Sequence, residues 1–132
     1  MGEISNDARV ALNHCYDSSV RLIKLTNDVL ALSKIEAGKM EYYMTDVEVV
    51  PLLKAVYNDV FLEAKAKQID FQIEIDKNLI KAEINTDEDK IKQVFINLVN
   101  NAIKFTPEQG KVILKATKIK NKILFEVIDN GV

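Results

Sequence analysis

The chain has 132 residues, of which 48% are hydrophobic and 29% are charged, and its formal net charge is −2. This composition is typical of a globular protein, and the lack of tryptophan makes the predicted core mainly aliphatic. The weak net charge excludes an electrostatic basis for binding nucleic acid or an anionic membrane surface. The single cysteine, Cys15, excludes an internal disulfide and favours a cytoplasmic location.

A long helix is the first predicted element, from Ser5 or Asn6 to about Tyr42. The stretch contains no proline, and its one glycine, Gly38, lies near the end. Four apolar residues follow one another at alternating spacings of three and four, as in a coiled coil: Leu22, Leu25, Val29 and Leu32. One helix cannot bury this stripe alone, so we expect a bundle built between chains, as a homodimer or a domain-swapped oligomer.

Beyond residue 44 the hydrophobic period switches between that of strands and that of helices. The predicted helices cover 51–67 and about 87–105, and the predicted strands cover 46–49, 71–75, 81–85, 112–119 and 123–129. The element order is therefore β-α-β-β-α-β-β. We expect an α+β fold with two domains, a dimerisation helix over 1–44 and an α/β layer over 45–132.

The last predicted helix carries three polar residues on one face. Asn97, Asn101 and Lys104 stand at i, i+4 and i+7, beside the apolar stripe of the same helix. Carboxamide oxygens can coordinate a hard cation, and an ammonium can bind a phosphate group. A solvated helix face is the simpler interpretation, and periodicity alone favours it.

Three stretches of the sequence resemble sensor histidine kinases of two-component systems, in that family's order. The run QVFINLVNNAIKFTP at 93–107 resembles the N box. The run LSKIEAGK at 32–39 resembles the end of the second dimerisation helix, and VIDNGV at 127–132 resembles the opening of the first glycine box. The resemblance extends from about Val20 onward, and it implies one helix of a dimeric bundle followed by an ATP-binding two-layer sandwich.

The N-box resemblance implies residues that bind Mg²⁺ and the phosphates of ATP. Asn101 matches the Mg²⁺ ligand of the family, and Asn97 matches the residue that supports the phosphate and metal region one helical turn earlier. Lys104 matches a residue that contacts phosphate. These roles follow from the resemblance alone.

The same resemblance implies a pocket for the adenine base. Phe105 would line the nucleotide pocket, and Asp129 would accept a hydrogen bond from the adenine amino group. Gly131 would let the backbone pass close to the base, because glycine has no side chain to obstruct it. ATP and Mg²⁺ are therefore the expected cofactors.

The residue at position 97 distinguishes this chain from other ATPases that the fold resembles. The gyrase, heat-shock and mismatch-repair ATPases usually have a glutamate there as the general base for water. Asn97 cannot accept a proton, which favours phosphoryl transfer to a protein nucleophile over ATP hydrolysis. The implied parent is a kinase that autophosphorylates a histidine and passes the phosphoryl group to the receiver domain of a response regulator. A membrane anchor of that parent would lie outside this segment, for which we expect no membrane contact.

The chain also departs from the family pattern. Its only histidine, His14, is followed by Cys15 and Tyr16, whereas the family's phosphoacceptor histidine is followed by an acidic residue and then by a proline. His14 also lies on the helix that matches the second helix of the bundle, not the first. We therefore expect that the phosphoacceptor is absent and that no residue of this chain is catalytic.

The glycine box breaks off at Val132, which predicts a truncated sandwich without the ATP lid or the later glycine box. The strand at 123–129 would then be an edge strand with exposed apolar residues. We expect this chain alone to be inactive as a kinase. The alternative hypothesis is a non-catalytic dimerisation or regulatory module derived from such a kinase.

Overall fold

A computed structural model describes residues 5–130, and the chain divides into two compact units, Met1–Tyr42 and Tyr43–Val132. The described part of the first unit is dominated by helix α1, Asn6–Glu36. The Ser5 hydroxyl accepts a hydrogen bond from the Ala8 N–H at 3.2 Å and so caps the N-terminal end of α1. The predicted end near Tyr42 is wrong because Gly38 adopts a left-handed conformation, with φ at +67°, and stops the helix.

The apolar stripe of α1 is exposed along its length. None of the residues of α1 is buried. The four residues of the predicted seam are each more than half exposed: Leu22, Leu25, Val29 and Leu32. None of the helices within residues 5–130 has the length and apolar character that crossing a membrane requires.

The second unit has the predicted element order. Its elements are β1 (Met44–Glu48), α2 (Val49–Ala66), β2 (Asp70–Ile75), a 3₁₀ turn (Lys77–Leu79), β3 (Glu83–Asp87), α3 (Glu88–Phe105), β4 (Lys111–Ile119) and β5 (Lys122–Asp129). Three elements are displaced by about two residues from the prediction, since β1 begins at Met44, α2 begins at Val49, before Pro51, and β3 runs Glu83–Asp87. The other boundaries agree to within one residue. Pro51 is tolerated inside α2 because backbone N–H groups in the first turn have no partner within the helix.

The strands form two separate sheets. β1 pairs with β3 in an antiparallel ribbon that places Val47 opposite Ile84. The other sheet has the order β2-β4-β5, with β2 parallel to β4 and β5 antiparallel to it. β5 is the outer strand of this order, and its Leu124 and Ile128 are exposed.

The core lies between the two helices and the three-stranded sheet. β4 is the middle strand and buries every second residue, while α2 buries one continuous stripe. The largest fully buried apolar side chains are those of Val49, Leu53, Val56, Val60, Leu79, Val99, Val112 and Leu114. On α3, the Phe95 ring packs against the Phe125 ring of β5 with centroids 4.9 Å apart. These contacts fix which face of α3 points outward, and the predicted α+β class is confirmed.

Candidate functional site

The buried carboxylate of Asp87 fixes the N-terminal end of α3. One oxygen, Oδ1, accepts a hydrogen bond from the Lys90 N–H at 3.1 Å, and the other, Oδ2, accepts one from the Tyr43 N–H at 2.9 Å. The Tyr43 N–H and then the Lys90 N–H hold the pKa of this carboxyl below its ordinary value, although burial opposes them. Asp87 therefore caps α3 and also joins it to the residue just before β1.

The three predicted polar residues of α3 lie together on its outer face. Asn97, Asn101 and Lys104 are all exposed, whereas Phe95 and Val99 on the opposite face are buried in the core. At a rise of 1.5 Å per residue, this polar row runs for roughly 10 Å along the helix. Because the opposite face of α3 is buried in the core, two carboxamides and one ammonium are exposed to solvent in a row along the helix.

An aromatic ring follows the polar row where α3 ends. The Phe105 side chain is 65% exposed, and the Lys104 ammonium lies 5.4 Å from the centroid of its ring. Packing in the core therefore does not account for a phenylalanine at this position. Phe105 instead provides a flat surface at one end of the polar row.

Asp129 lies at the end of β5, and its neighbours connect it to the end of α3. It pairs with Val112 in the sheet, and the next residue, Asn130, accepts a hydrogen bond through Oδ1 from the Lys111 N–H at 2.8 Å. A Cβ atom added at Gly110 would collide with Thr106 Cγ2 and lie 3.0 Å from Asn130 Oδ1. The glycine therefore allows the segment after α3 to lie against the segment after β5.

The structure thus brings the residues next to Phe105 and Asp129 close together, while Asn97 and Asn101 lie farther back along α3. Gly131, the remaining predicted residue, lies outside the described residues. An exposed carboxamide oxygen at Asn101 suits Mg²⁺, which keeps several waters and relies on substrate phosphates for much of its coordination. The adjacent ammonium suits the phosphates themselves. The residues present are therefore compatible with a nucleotide and its metal ion.

Two contacts around α3 were missed by the sequence analysis. The Lys67 ammonium donates hydrogen bonds to the carbonyl oxygens of Ile103 and Lys104, at 2.8 and 2.9 Å. A lysine at the end of the predicted helix 51–67 is a weak signal that its ammonium binds the last carbonyl groups of a helix. The sequence does not show that this helix is α3. The start of α3 near Asp87 is predicted by the sequence, whereas the contact of Asp87 with Tyr43 has no local signal.

The second half of the α/β unit matches a known protein family. Residues 86–132 match the family described as histidine kinase-, DNA gyrase B-, and HSP90-like ATPase. The match begins just before α3 and includes the polar row, Phe105 and Asp129.

Individual relatives extend the similarity over the whole chain. The circadian input-output histidine kinase CikA of Synechococcus elongatus is 30% identical over 131 residues, which cover 99% of this chain and 17% of CikA. Full-length ShkA, solved in complex with AMPPNP, is 29% identical with a TM-score of 0.81, over 98% of this chain and 28% of ShkA. Histidine kinase ThkA, solved in complex with the response regulator TrrA, is 25% identical with a TM-score of 0.78, over 100% of this chain and 37% of ThkA. The chain therefore spans between about a sixth and two fifths of the length of these relatives.

Proposed function

The chain belongs to the sensor histidine kinase family, and on that basis we propose that it supplies part of the ATP site of a protein-histidine kinase. The observation that carries this proposal is the polar row of Asn97, Asn101 and Lys104. It is exposed on a helix whose other face is locked in the core, within the segment that matches the ATPase family.

Each site residue has a proposed part in holding the nucleotide. The Asn101 carboxamide oxygen coordinates Mg²⁺, Asn97 supports the same region, and the Lys104 ammonium binds phosphate oxygens. Bound Mg²⁺ would neutralise charge on the phosphates and help to align them for transfer. Phe105 lines the nucleotide pocket, and the Asp129 carboxylate accepts a hydrogen bond from the adenine amino group.

Gly131 is also proposed to contribute, by letting the backbone pass close to the base. Its role rests on the sequence alone, since it lies outside the described residues. The side chain at position 97 supports a kinase rather than a hydrolase, because the carboxamide of Asn97 cannot take a proton from water.

The parent protein, in this proposal, acts in a cytoplasmic two-component pathway. The γ-phosphoryl group of ATP moves to a histidine nitrogen and leaves ADP, and the phosphoryl group then moves to an aspartate on the receiver domain of a response regulator. The relative ThkA, solved with its response regulator, supports this class of partner.

The chain by itself is proposed not to autophosphorylate. Its only histidine, His14, lies on α1 and lacks the acidic neighbour and the proline that follow the phosphoacceptor in this family. The chain would bind ATP without becoming labelled by it.

Calorimetric titration of the chain with Mg²⁺ and a non-hydrolysable ATP analogue tests the proposal. We expect binding that requires Mg²⁺, and we expect Asp129→Asn and Asn101→Ala each to weaken it at least about tenfold. Asn58→Ala is the matched control, because Asn58 is an exposed asparagine on a different helix, α2. Asn101→Ala should also reduce the Mg²⁺ dependence, whereas Asp129→Asn should not.

A second candidate function is a non-catalytic dimerisation or regulatory module. The exposed apolar seam of α1 favours it, because that seam requires a partner whether or not nucleotide binds. A folded, self-associating sample that binds no nucleotide would contradict the ATP-site proposal and support this second candidate.

A further inference from the structure

The C-terminal end of α3 depends on a side chain from another helix. The last carbonyl groups of an α-helix have no N–H partner within it. The Ala102 carbonyl is satisfied by the Thr106 N–H at 3.0 Å. The next two, of Ile103 and Lys104, accept hydrogen bonds from the Lys67 ammonium at 2.8 and 2.9 Å. The positive charge also lies at the negative end of the α3 dipole, which strengthens the interaction.

Lys67 is itself held in a defined place. It is the C-cap residue of α2, where its N–H donates to the Glu63 carbonyl at 3.3 Å. The next residue, Gln68, takes a left-handed conformation with φ at +61° and accepts a hydrogen bond from the Gln109 N–H at 2.9 Å. The turn after α2 and the turn after α3 are therefore joined by backbone as well as by the ammonium.

This anchor contacts the same residue that we assign to phosphate binding. Lys67 binds the backbone of Lys104, and Phe105 is the next residue along. Asn101 lies less than one turn earlier on the same helix. A change in the direction of this last turn would move the Lys104 ammonium relative to the end of β5, where Asp129 lies.

We propose that Lys67 is a positioning residue for the nucleotide site, which holds the last turn of α3 so that the Lys104 ammonium meets the phosphates. This inference rests on the proposed ATP site and adds a residue that touches neither nucleotide nor metal. Loss of the Lys67 ammonium should weaken the phosphate contact, while the adenine contact at Asp129 should remain.

Three variants test this role. Lys67→Met keeps the aliphatic stem and removes the ammonium, and Lys67→Arg restores a charged donor. Lys65→Met is the matched control, since Lys65 lies on the same helix and its ammonium is 6.0 Å from the Phe61 ring. For each variant, dissociation constants for an ATP analogue with Mg²⁺ and for adenosine are measured by NMR titration, below the melting temperature of the least stable variant.

We expect Lys67→Met to weaken binding of the ATP analogue about tenfold, with adenosine affected less than about twofold. The amide resonances of residues 103–106 should shift in the free protein. Lys67→Arg should recover most of the lost affinity, and Lys65→Met should match the wild type.

Two outcomes would overturn the inference while the ATP site stands. In the first, Lys67→Met binds the ATP analogue as the wild type does. In the second, the variant loses ATP analogue and adenosine to the same extent, which would make Lys67 a general stabiliser of the fold. If the wild type binds no nucleotide at all, the proposed function fails and this inference fails with it.

Discussion

The seam of the long helix and the core of the α/β unit are built from the same residue type at opposite levels of burial. On α1, Leu25 is 59% exposed, and it lies in a seam with the 3.5-residue spacing of a coiled coil. In the second unit, Leu53 and Leu114 are 0% exposed and fill the space between the helices and the sheet. The comparison teaches that a leucine in the sequence does not by itself predict burial within its own chain. The spacing of the apolar residues around it must be considered as well. A seam of this kind indicates a partner, whereas the α/β pattern indicates residues that pack against each other within the unit.

The largest expected effect on stability comes from replacing a leucine of the core with alanine, compared with the same replacement in the seam. Leu53→Ala leaves a cavity in the core and should lower the free energy of unfolding of the α/β unit by about 2–5 kcal/mol. Leu25→Ala should change that free energy by no more than about 0.5 kcal/mol, because Leu25 lies on α1, outside the core of the α/β unit. Urea denaturation followed by near-ultraviolet circular dichroism of tyrosine measures both. Equal effects at the two positions would remove the distinction between core and seam.

Self-association should respond in the reverse order. Leu25→Lys places a charge in the seam and should weaken association of the chain at least about tenfold, because a leucine buried at an interface contributes roughly 1.5–3 kcal/mol. Asn27→Lys adds the same charge away from the seam and serves as the control. Sedimentation equilibrium over a range of concentrations measures the association constants. An unchanged constant for Leu25→Lys would show that the seam is not the dimer interface.

The smallest expected effect is on the pH dependence of stability, and it concerns the α/β unit alone. Hydrogen bonds from the Tyr43 and Lys90 N–H groups lower the folded-state pKa of Asp87 below its ordinary value of 3.8. A lowered carboxyl pKa stabilises the fold above the unfolded-state pKa, and this contribution is lost as the pH falls through the folded-state pKa. Asp87→Asn should therefore be less stable than the wild type at neutral pH, and the difference should shrink below about pH 4.

Urea denaturation at several pH values between 3 and 7 measures this difference. Asp76 is the comparison site, because its carboxylate accepts hydrogen bonds from the Asn78 and Lys118 N–H groups and its pKa is also lowered. Asp76→Asn should remove only its own share of the pH dependence. A pH profile for Asp87→Asn parallel to that of the wild type would contradict the assignment.

Local patterns predicted the order of the elements and the outer face of α3. Alternation and helical periodicity depend on residues close in sequence. They identify the start of α3 near Asp87 and place Asn97 and Asn101 on one face. The predicted end of α1, near Tyr42, is too late because Gly38 was included in the helix. In the structure Gly38 takes a left-handed conformation, and the helix ends before it.

Contacts between distant residues could not be predicted in this way. The parallel pairing of Asp70 with Lys111 and the contact from Lys67 to the carbonyl of Lys104 depend on how whole elements pack. Tyr43 reaches Asp87 for the same reason, since β1 and β3 are far apart in sequence but adjacent in the ribbon. The contacts that hold the two ends of α3 are therefore the least predictable part of the candidate site.

The parallel pairing of β2 with β4 also sets an order of events during synthesis. β2 cannot complete its sheet until β4 has left the ribosome, and α3 must be made in between. At about 5–20 residues per second, this delay lasts seconds, whereas a helix such as α1 equilibrates in about a microsecond. The nascent chain therefore exposes the α1 segment, with its apolar seam, to a neighbouring chain before its own α/β core exists.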